Sequence, residues 1–351
     1  MNLFEQQREN RRRSVLLVAV FVLFFAWVGF GGDWAFWLLT RDAGPGGYRH
    51  AVPWIGVLVC SVAAATAYHA WKRGADRVLW ATGAWEVVEP ATEAQRRLVN
   101  VVEEMAIAAG LPRPRIWVVP DDDPNAFATG MSADRAHVAV TAGLLERLSR
   151  DELQAVVAHE LSHVRNLDVR LMTLLAALLG AIALMSDGFG RFVRGAGRGR
   201  IGGSGGGGAR GGGKGKGNPL GALILALWVL TLVIAPVVSR LLAMAVSRGR
   251  EYLADATAAQ LTRHPAALAA ALEKLAQAHD PTRAITRGAA HLCIVDPLVH
   301  PFSEREGFLG DLLASHPPMQ VRVARLRAMA FEQQDAGAGS GERGAVPEPT
   351  P

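Results

Sequence analysis

Two histidines and a glutamate carry the chemistry this chain advertises. His159-Glu160-Leu161-Ser162-His163 reads H-E-x-x-H. Histidines four residues apart stack on one face of a helix, so both imidazoles can reach one metal ion. Glu160, between them, falls close enough to act on a water bound to that metal. The spacing is that of zinc hydrolases, in which a metal activates water and an acid moves its proton.

A catalytic zinc takes three protein ligands and leaves a fourth position to water. Glu251 opens the run Glu251-Tyr252-Leu253-Ala254-Asp255, an E-x-x-x-D whose carboxylates lie one helical turn apart on one face. Glu251 is the preferred third ligand. Asp255 would then accept a hydrogen bond from a ligand histidine, orienting the ring and raising its basicity. His264, His279, His291, His300 and His316 are the rival ligands. Spacing leaves that choice open. The plainer reading of Glu251 and Asp255 is a solvated helix face paired with Arg248 or Arg250.

These groups need elements to position them. Ser149 with Glu152 forms an S-x-x-E capping box, and Leu153, Val156, Val157 and Leu161 follow at helical spacing. No Pro or Gly interrupts Asp151 to Leu179, so one continuous helix is expected there. Ahead of it, Arg115 to Val119 reads as a strand. Asn125 to Gly130 follows the turn residues 120–124, and Ala136 to Thr141 reads as a third strand. A small antiparallel sheet is expected, whose edge could hold peptide as an added strand. A meander without a ligand fits the same pattern. Thr92 to Ala109, Pro265 to Ala278 and Pro317 to Phe331 read as helices.

Half of the residues are hydrophobic. Val15 to Phe30 and Ala51 to Trp71 are long apolar runs, each near the ~20 residues that span a bilayer. The first is too long for a cleaved signal peptide and reads as a retained anchor. Arg8, Arg11, Arg12 and Arg13 precede it, and Lys72, Arg73 and Arg77 follow the second run. Basic flanks stay in the cytoplasm, so the N-terminus and the metal helix are expected on the cytoplasmic side. Cys60 and Cys293 are not expected to pair. The net charge of +5 raises nucleic acid as a partner. Membrane flanks and one glycine-rich loop hold much of that charge, so topology explains it better.

The domain reading has four parts: a basic N-terminus over 1–13, a transmembrane hairpin over 14–71, a cytoplasmic metallopeptidase domain over 72–330 and a disordered tail over 331–351. Hydrophobic segments 171–186 and 220–246 interrupt the third part. Between them a linker over 188–217 holds 16 Gly and seven Lys or Arg. The hydrophobic lengths favour two further crossings, whereas the basic loop opposes its own translocation. Anionic headgroups are a candidate contact for that loop. The fold class is α+β, mostly α: a zincin-like domain with a small antiparallel sheet, plus transmembrane helices.

In order, the chain presents two apolar spans, Asn125-Ala126-Phe127-Ala128, the H-E-x-x-H run, a hydrophobic pair, Ser247-Arg248-Gly249-Arg250-Glu251-Tyr252-Leu253-Ala254-Asp255 and Ser315-His316-Pro317-Pro318. That order resembles the HtpX family of bacterial membrane zinc metallopeptidases, related to the CAAX prenyl-protein peptidases. The resemblance covers roughly Val15 to Ala330; the long glycine-rich basic loop departs from it. It implies one zinc per chain held by His159, His163 and Glu251, with Asp255 behind them. It implies Glu160 as general base on a zinc-bound water, and Asn125, Ala126, Phe127 and Ala128 as the substrate edge strand. His316 is matched to oxyanion stabilisation or substrate contact. The implied activity is hydrolysis of peptide bonds in misfolded or damaged membrane proteins, in quality control and stress response at the bacterial inner membrane. The alternatives are a CAAX-type prenyl-protein peptidase and a non-catalytic zinc-binding membrane adaptor.

Overall fold

The structure is a computed structural model. It describes residues 3–40, 52–178, 226–228, 230–231, 248–278, 292–295 and 317–341. The linker 188–217, most of 220–246, and His279, His291, His300 and His316 lie outside the described residues.

Two long helices come first, α1 (Leu3–Thr40) and α2 (Trp54–Ala81). The stretches Gln7–Leu38 and Trp54–Ala81 are both long and apolar enough to cross a membrane. Leu23 and Leu58 stand exposed on them, as side chains facing lipid would. The two helices pack through small residues. A Cβ on Gly56 would come within 2.3 Å of the Phe30 ring, so only glycine admits that approach. The basic N-terminus is not separate from the first span: α1 runs through it. Likewise α2 continues past Trp71 to Ala81 and kinks at Arg73 (φ −134°, ψ 22°), at the first charged residues after the apolar run.

Four strands form one sheet: β1 (Trp85–Glu86), β2 (Arg115–Val119), β3 (Ala126–Gly130) and β4 (Ala136–Thr141), in the order β1-β2-β4-β3. The sheet is mixed, not purely antiparallel. β3 and β4 form the expected antiparallel pair, but β4 inserts between β3 and β2 and runs parallel to β2, with Val118 opposite Val140. β3 and β4 are both buried along their whole length, and the strand order puts β4 inside the sheet. β3 is thereby left at the sheet edge.

Helices cover the sheet. α3 (Glu93–Ala109) starts at a Thr92 cap and ends at Gly110 in the left-handed region (φ 66°). After the short α4 (Ala142–Arg147), α5 (Arg150–Arg165) carries the metal motif. Its capping box is formed as expected: Ser149 N–H donates to Glu152 Oε2 at 2.7 Å and Glu152 N–H to Ser149 Oγ at 3.4 Å. Lys274 fixes the same Glu152 carboxylate at 2.7 Å. From Glu152 to Val164 nearly every side chain of α5 is buried. Leu153 and Leu161 are fully buried against α3 and the sheet. Each contributes roughly 1.5–3 kcal/mol of transfer free energy.

The expected continuous helix is broken. α5 stops at Arg165, and a new helix, α6, occupies 168–178. Leu167 takes a left-handed conformation (φ 57°), which costs a non-glycine residue about 1–2 kcal/mol. Neither Pro nor Gly causes this break. Side chains from α1 hold it: Gln7 Nε2 donates to Arg165 O at 2.8 Å and Asn10 Nδ2 to Asn166 O at 2.9 Å. These are carbonyls that a helix end leaves unpaired.

Further helices among the described residues are α7 (Arg248–Thr262), α8 (Pro265–Ala276) and α9 (Met319–Gly341). α9 continues through residues 331–341, eleven residues into the stretch expected to be a disordered tail. Glu332-Gln333-Gln334 and Ala336 are good helix formers, and the composition argument underweighted them. The described part of 220–246 lies against the first span. Trp228 Nε1 donates to Val28 O at 3.0 Å, and its ring fills the space a Cβ on Gly31 would take.

Candidate metal and active site

α5 places His159 and His163 on one face, both buried, with Nε2 atoms 3.3 Å apart and rings nearly perpendicular (86°). α7 crosses this face and delivers Glu251. Its Oε2 lies 3.6 Å from His159 Nε2, and its Oε1 lies 3.6 Å from His163 Nε2. Among the described residues these three form the one cluster arranged to hold a metal ion, all ligand atoms lying within 4.8 Å of one another. Zinc bonds of about 2.0–2.1 Å in a tetrahedron separate ligand atoms by about 3.3–3.4 Å. The 3.3 Å between the two histidine nitrogens fits that figure, and each of them has a Glu251 oxygen 3.6 Å away, His159 facing Oε2 and His163 facing Oε1. His264, the one rival histidine among the described residues, is exposed ahead of α8.

The carboxylates behind the ligands are as ordered as the ligands. Asp255, one turn after Glu251, sets Oδ1 3.0 Å from His159 Nδ1. This leaves Nε2 to face the centre, as a metal-ligating histidine needs. Asp168, at the start of α6, sets Oδ2 3.6 Å from His163 Nδ1. Sequence reading found Asp255 and missed Asp168, whose position depends on the break at Leu167.

Arg322 on α9 was missed as well. It is fully buried. Nε and Nη2 bind Asp255 Oδ2 and Oδ1 at 2.8 and 2.7 Å, Nη1 lies 3.3 Å from Glu251 Oε2, and Nη1 also donates to Ile294 O at 3.0 Å. From the sequence it stood only as one of three arginines, with Arg325 and Arg327, on a basic helix. A finer signal was present: Arg322 shares a face with Val323 and Leu326, the buried residues of α9. Arg250, one of the two cations expected beside the acidic pair, turns to Asp168 at 3.4 Å.

Burial and these contacts set the charges. Burial pushes Asp255 up, but Arg322 outweighs it and holds the carboxyl at about 2. For His159, burial disfavours the cation, yet Asp255 and Glu251 raise it to about 9 in the metal-free protein. Burial alone would push Arg322 down; the Asp255 and Glu251 carboxylates keep it above its ordinary value. Glu160 is buried, and neither of its oxygens makes a well-formed hydrogen bond among the described residues. Burial pushes its carboxyl up, with the two histidines and the Ala128 backbone pulling the other way.

β3 runs beside α5, which sets Asn125 to Ala128 next to the metal helix. The edge is not bare. Cys293 forms an antiparallel bridge with Phe127, and Ile294 N–H donates to Ala126 O at 3.0 Å. Asn125 Nδ2 donates to Val295 O at 3.0 Å. His316 lies outside the described residues, so its distance from this centre is not part of the geometry.

A buried H-E-x-x-H helix met by a glutamate from a second helix, on a domain that follows two membrane-length helices, defines the metalloprotease class. The family model of peptidase family M48 matches residues 92–330, and the chain belongs to that family. A protease HtpX homolog of Caldanaerobacter subterraneus subsp. tengcongensis is 36% identical over 330 residues, covering 94% of this chain and 98% of its own. One from Dictyoglomus thermophilum is 40% identical over 262 residues, covering 75% and 78%. One from Streptococcus gordonii is 34% identical over 327 residues, covering 93% and 100%. Among solved structures, the chain is similar to S. mikatae Ste24p (TM-score 0.43, 17% identity), covering 89% of this chain and 66% of that one.

Proposed function

We propose that the chain is a membrane-bound zinc-dependent endopeptidase that cleaves misfolded or damaged membrane proteins. One observation carries this reading. Glu160 is buried beside three convergent ligand atoms, and neither of its oxygens makes a well-formed hydrogen bond among the described residues, an expense that a purely structural metal site has no use for. His159, His163 and Glu251 would hold one zinc. Bound there, it would supply Lewis acidity and lower the pKa of a bound water towards neutrality.

The chain's own groups do the rest. Glu160 accepts a proton from the attacking water at its carboxylate and returns it to the leaving amine. Its raised pKa suits a group that must both take and give that proton near neutral pH. Asp255 and Asp168 orient the two imidazoles, and Arg322 balances the carboxylates behind them. Peptide lies as an added strand on the Asn125–Ala128 edge, in place of residues 292–294. His316 is assigned to oxyanion stabilisation or substrate contact on the family resemblance alone.

The catalytic domain, 72–330, faces the cytoplasm at the bacterial inner membrane. The basic N-terminus supports that orientation, because Gln7 and Asn10 touch the end of the metal helix. The pair 171–186 and 220–246, most of which lies outside the described residues, is assigned to a second hairpin on its hydrophobic lengths. Its support is Trp228, which meets α1 at Val28, 18 residues and so about 27 Å along the helix from Asn10. That is close to the thickness of a bilayer core.

The deciding experiment uses wild type and Glu160→Gln, purified in detergent without metal. Cleavage of casein is followed before and after adding zinc. Zinc-dependent cleavage by wild type alone is the expected result. Absence of cleavage by either, with one zinc bound per chain, would favour the non-catalytic adaptor.

A further inference from the structure

Asp168 is the meeting point of three parts of the chain that sequence keeps far apart. It is fully buried, and its carboxylate faces His163 Nδ1 at 3.6 Å, Arg250 Nε at 3.4 Å and Asn10 Nδ2 at 2.6 Å. Arg250 immediately precedes Glu251, so one carboxylate touches the supports of two proposed metal ligands. Asn10 comes from the stretch ahead of the first span. Its amide is buried, and Nδ2 spends both hydrogens, one on Asp168 Oδ1 and one on Asn166 O. Both partners are acceptors, so the amide orientation follows from chemistry. Gln7, one turn earlier, binds Arg165 O at 2.8 Å.

The two side chains therefore cap the end of the metal helix from outside it. Between the capped carbonyls and Asp168 lies Leu167, held in a left-handed conformation that leucine does not favour. That turn swings Asp168 back beneath His163. A straight continuation of α5 would not return the Asp168 side chain to His163 Nδ1, because residues five apart sit on different faces.

We infer that the segment ahead of the first membrane span is a positioning element of the metal centre: Asn10, supported by Gln7, fixes Asp168 and through it the ring of His163. Asn10 is a positioning residue and touches neither metal nor substrate. The inference rests on the proposed zinc site. It assigns to the N-terminus a part in metal retention, beyond anchoring and topology.

The test measures zinc release from the full-length protein in detergent, with excess chelator and zinc as the only metal. Removing partners behind a metal ligand lowers affinity by about 10–100-fold. Asn10→Ala and the isosteric Asn10→Asp, which sets a second carboxylate against Asp168, should both release zinc at least tenfold faster than wild type. Arg12→Ala, an exposed charge on the same helical stretch, should release it at the wild-type rate. The unfolding temperature of the metal-free protein separates positioning from general support. A drop there with zinc release unchanged would overturn the inference, and so would wild-type release from both Asn10 variants. If Asn10→Ala does not accumulate folded, Asp168→Asn reads the same link from its other end, and wild-type release from it is equally fatal. His163→Ala keeps the two readings apart. If that variant holds zinc as well as wild type, the metal site itself is misassigned, and the failure lies there and not in the clamp.

Discussion

Arg322 grips Asp255 with both arms of its guanidinium, at 2.8 and 2.7 Å, at a depth that neither side chain shares with solvent. Fork-to-fork pairing of this kind gives direction as well as charge. Asp255 is thereby fixed for His159, and Glu251 receives a compensating cation 3.3 Å away. Breaking a buried pair by removing one partner typically costs about 3–5 kcal/mol. Arg322→Ala should therefore lower the denaturation free energy of the metal-free protein by about that amount. Arg322→Lys keeps the charge but cannot bind both oxygens, and should recover only part of it. Chemical denaturation of the three proteins checks the order.

Glu160→Gln should reduce peptide cleavage by about 10²–10⁴-fold, the usual contribution of a positioned general base. The amide is nearly isosteric and is not a ligand, so zinc content should stay at one per chain. Turnover with casein and metal analysis on the same sample test both halves. Loss of zinc would mean that Glu160 has a different role.

Zinc uptake should release protons with a sign set by His159. In the metal-free protein its ring titrates at about 9, above the ordinary 6.5. The imidazolium therefore stabilises the metal-free fold fully below about 6.5, and that contribution disappears as pH rises through 9. A metal ligand must be neutral, so binding below pH 9 expels this proton. Apparent zinc affinity should climb about tenfold per pH unit towards pH 9 from this group and then level. Calorimetry in buffers of different ionisation enthalpy, near pH 7.5, should register about one proton from His159. An affinity that does not change with pH would contradict the contacts drawn for His159.

Gly143, at the start of α4, tests packing outside the site. A Cβ there would lie 1.8 Å from the backbone oxygen of Asp122, which no rotamer change relieves. Gly143→Ala should cost about 1–3 kcal/mol, the usual range for overpacking. Thermal unfolding of the zinc-loaded protein would show it, with cleavage per folded molecule unchanged.

What could be read from the sequence divides along the range of the forces involved. The H-E-x-x-H helix and its capping box were legible because helical spacing and capping act within a few residues. The pairing of His159 and His163 with Glu251 was legible only as a preference, since no local rule ties α5 to α7. Arg322 was hidden because a cation is read as solvated until its buried partners are known. β4 was read as the third strand of a small antiparallel sheet, and its parallel pairing with β2 joins segments that no local pattern links. The break at Leu167 left no Gly or Pro to mark it. The side chains that hold it, Gln7 and Asn10, lie far away in sequence and meet Arg165 and Asn166 only after folding.

The strip of chain at 292–294 already uses backbone groups on β3 that an incoming peptide would need. Such a segment is a competitor that is never diluted. A tethered strand acts at an effective concentration in the millimolar range, whatever the concentration of free protein around it. A soluble peptide at micromolar levels starts at a disadvantage against it. A substrate confined to the same bilayer, with its cleavable loop held near the mouth of the cleft, competes on equal footing. On the proposed reading, selection for membrane-borne substrates would need no recognition motif, because the chain's own strand would set the threshold.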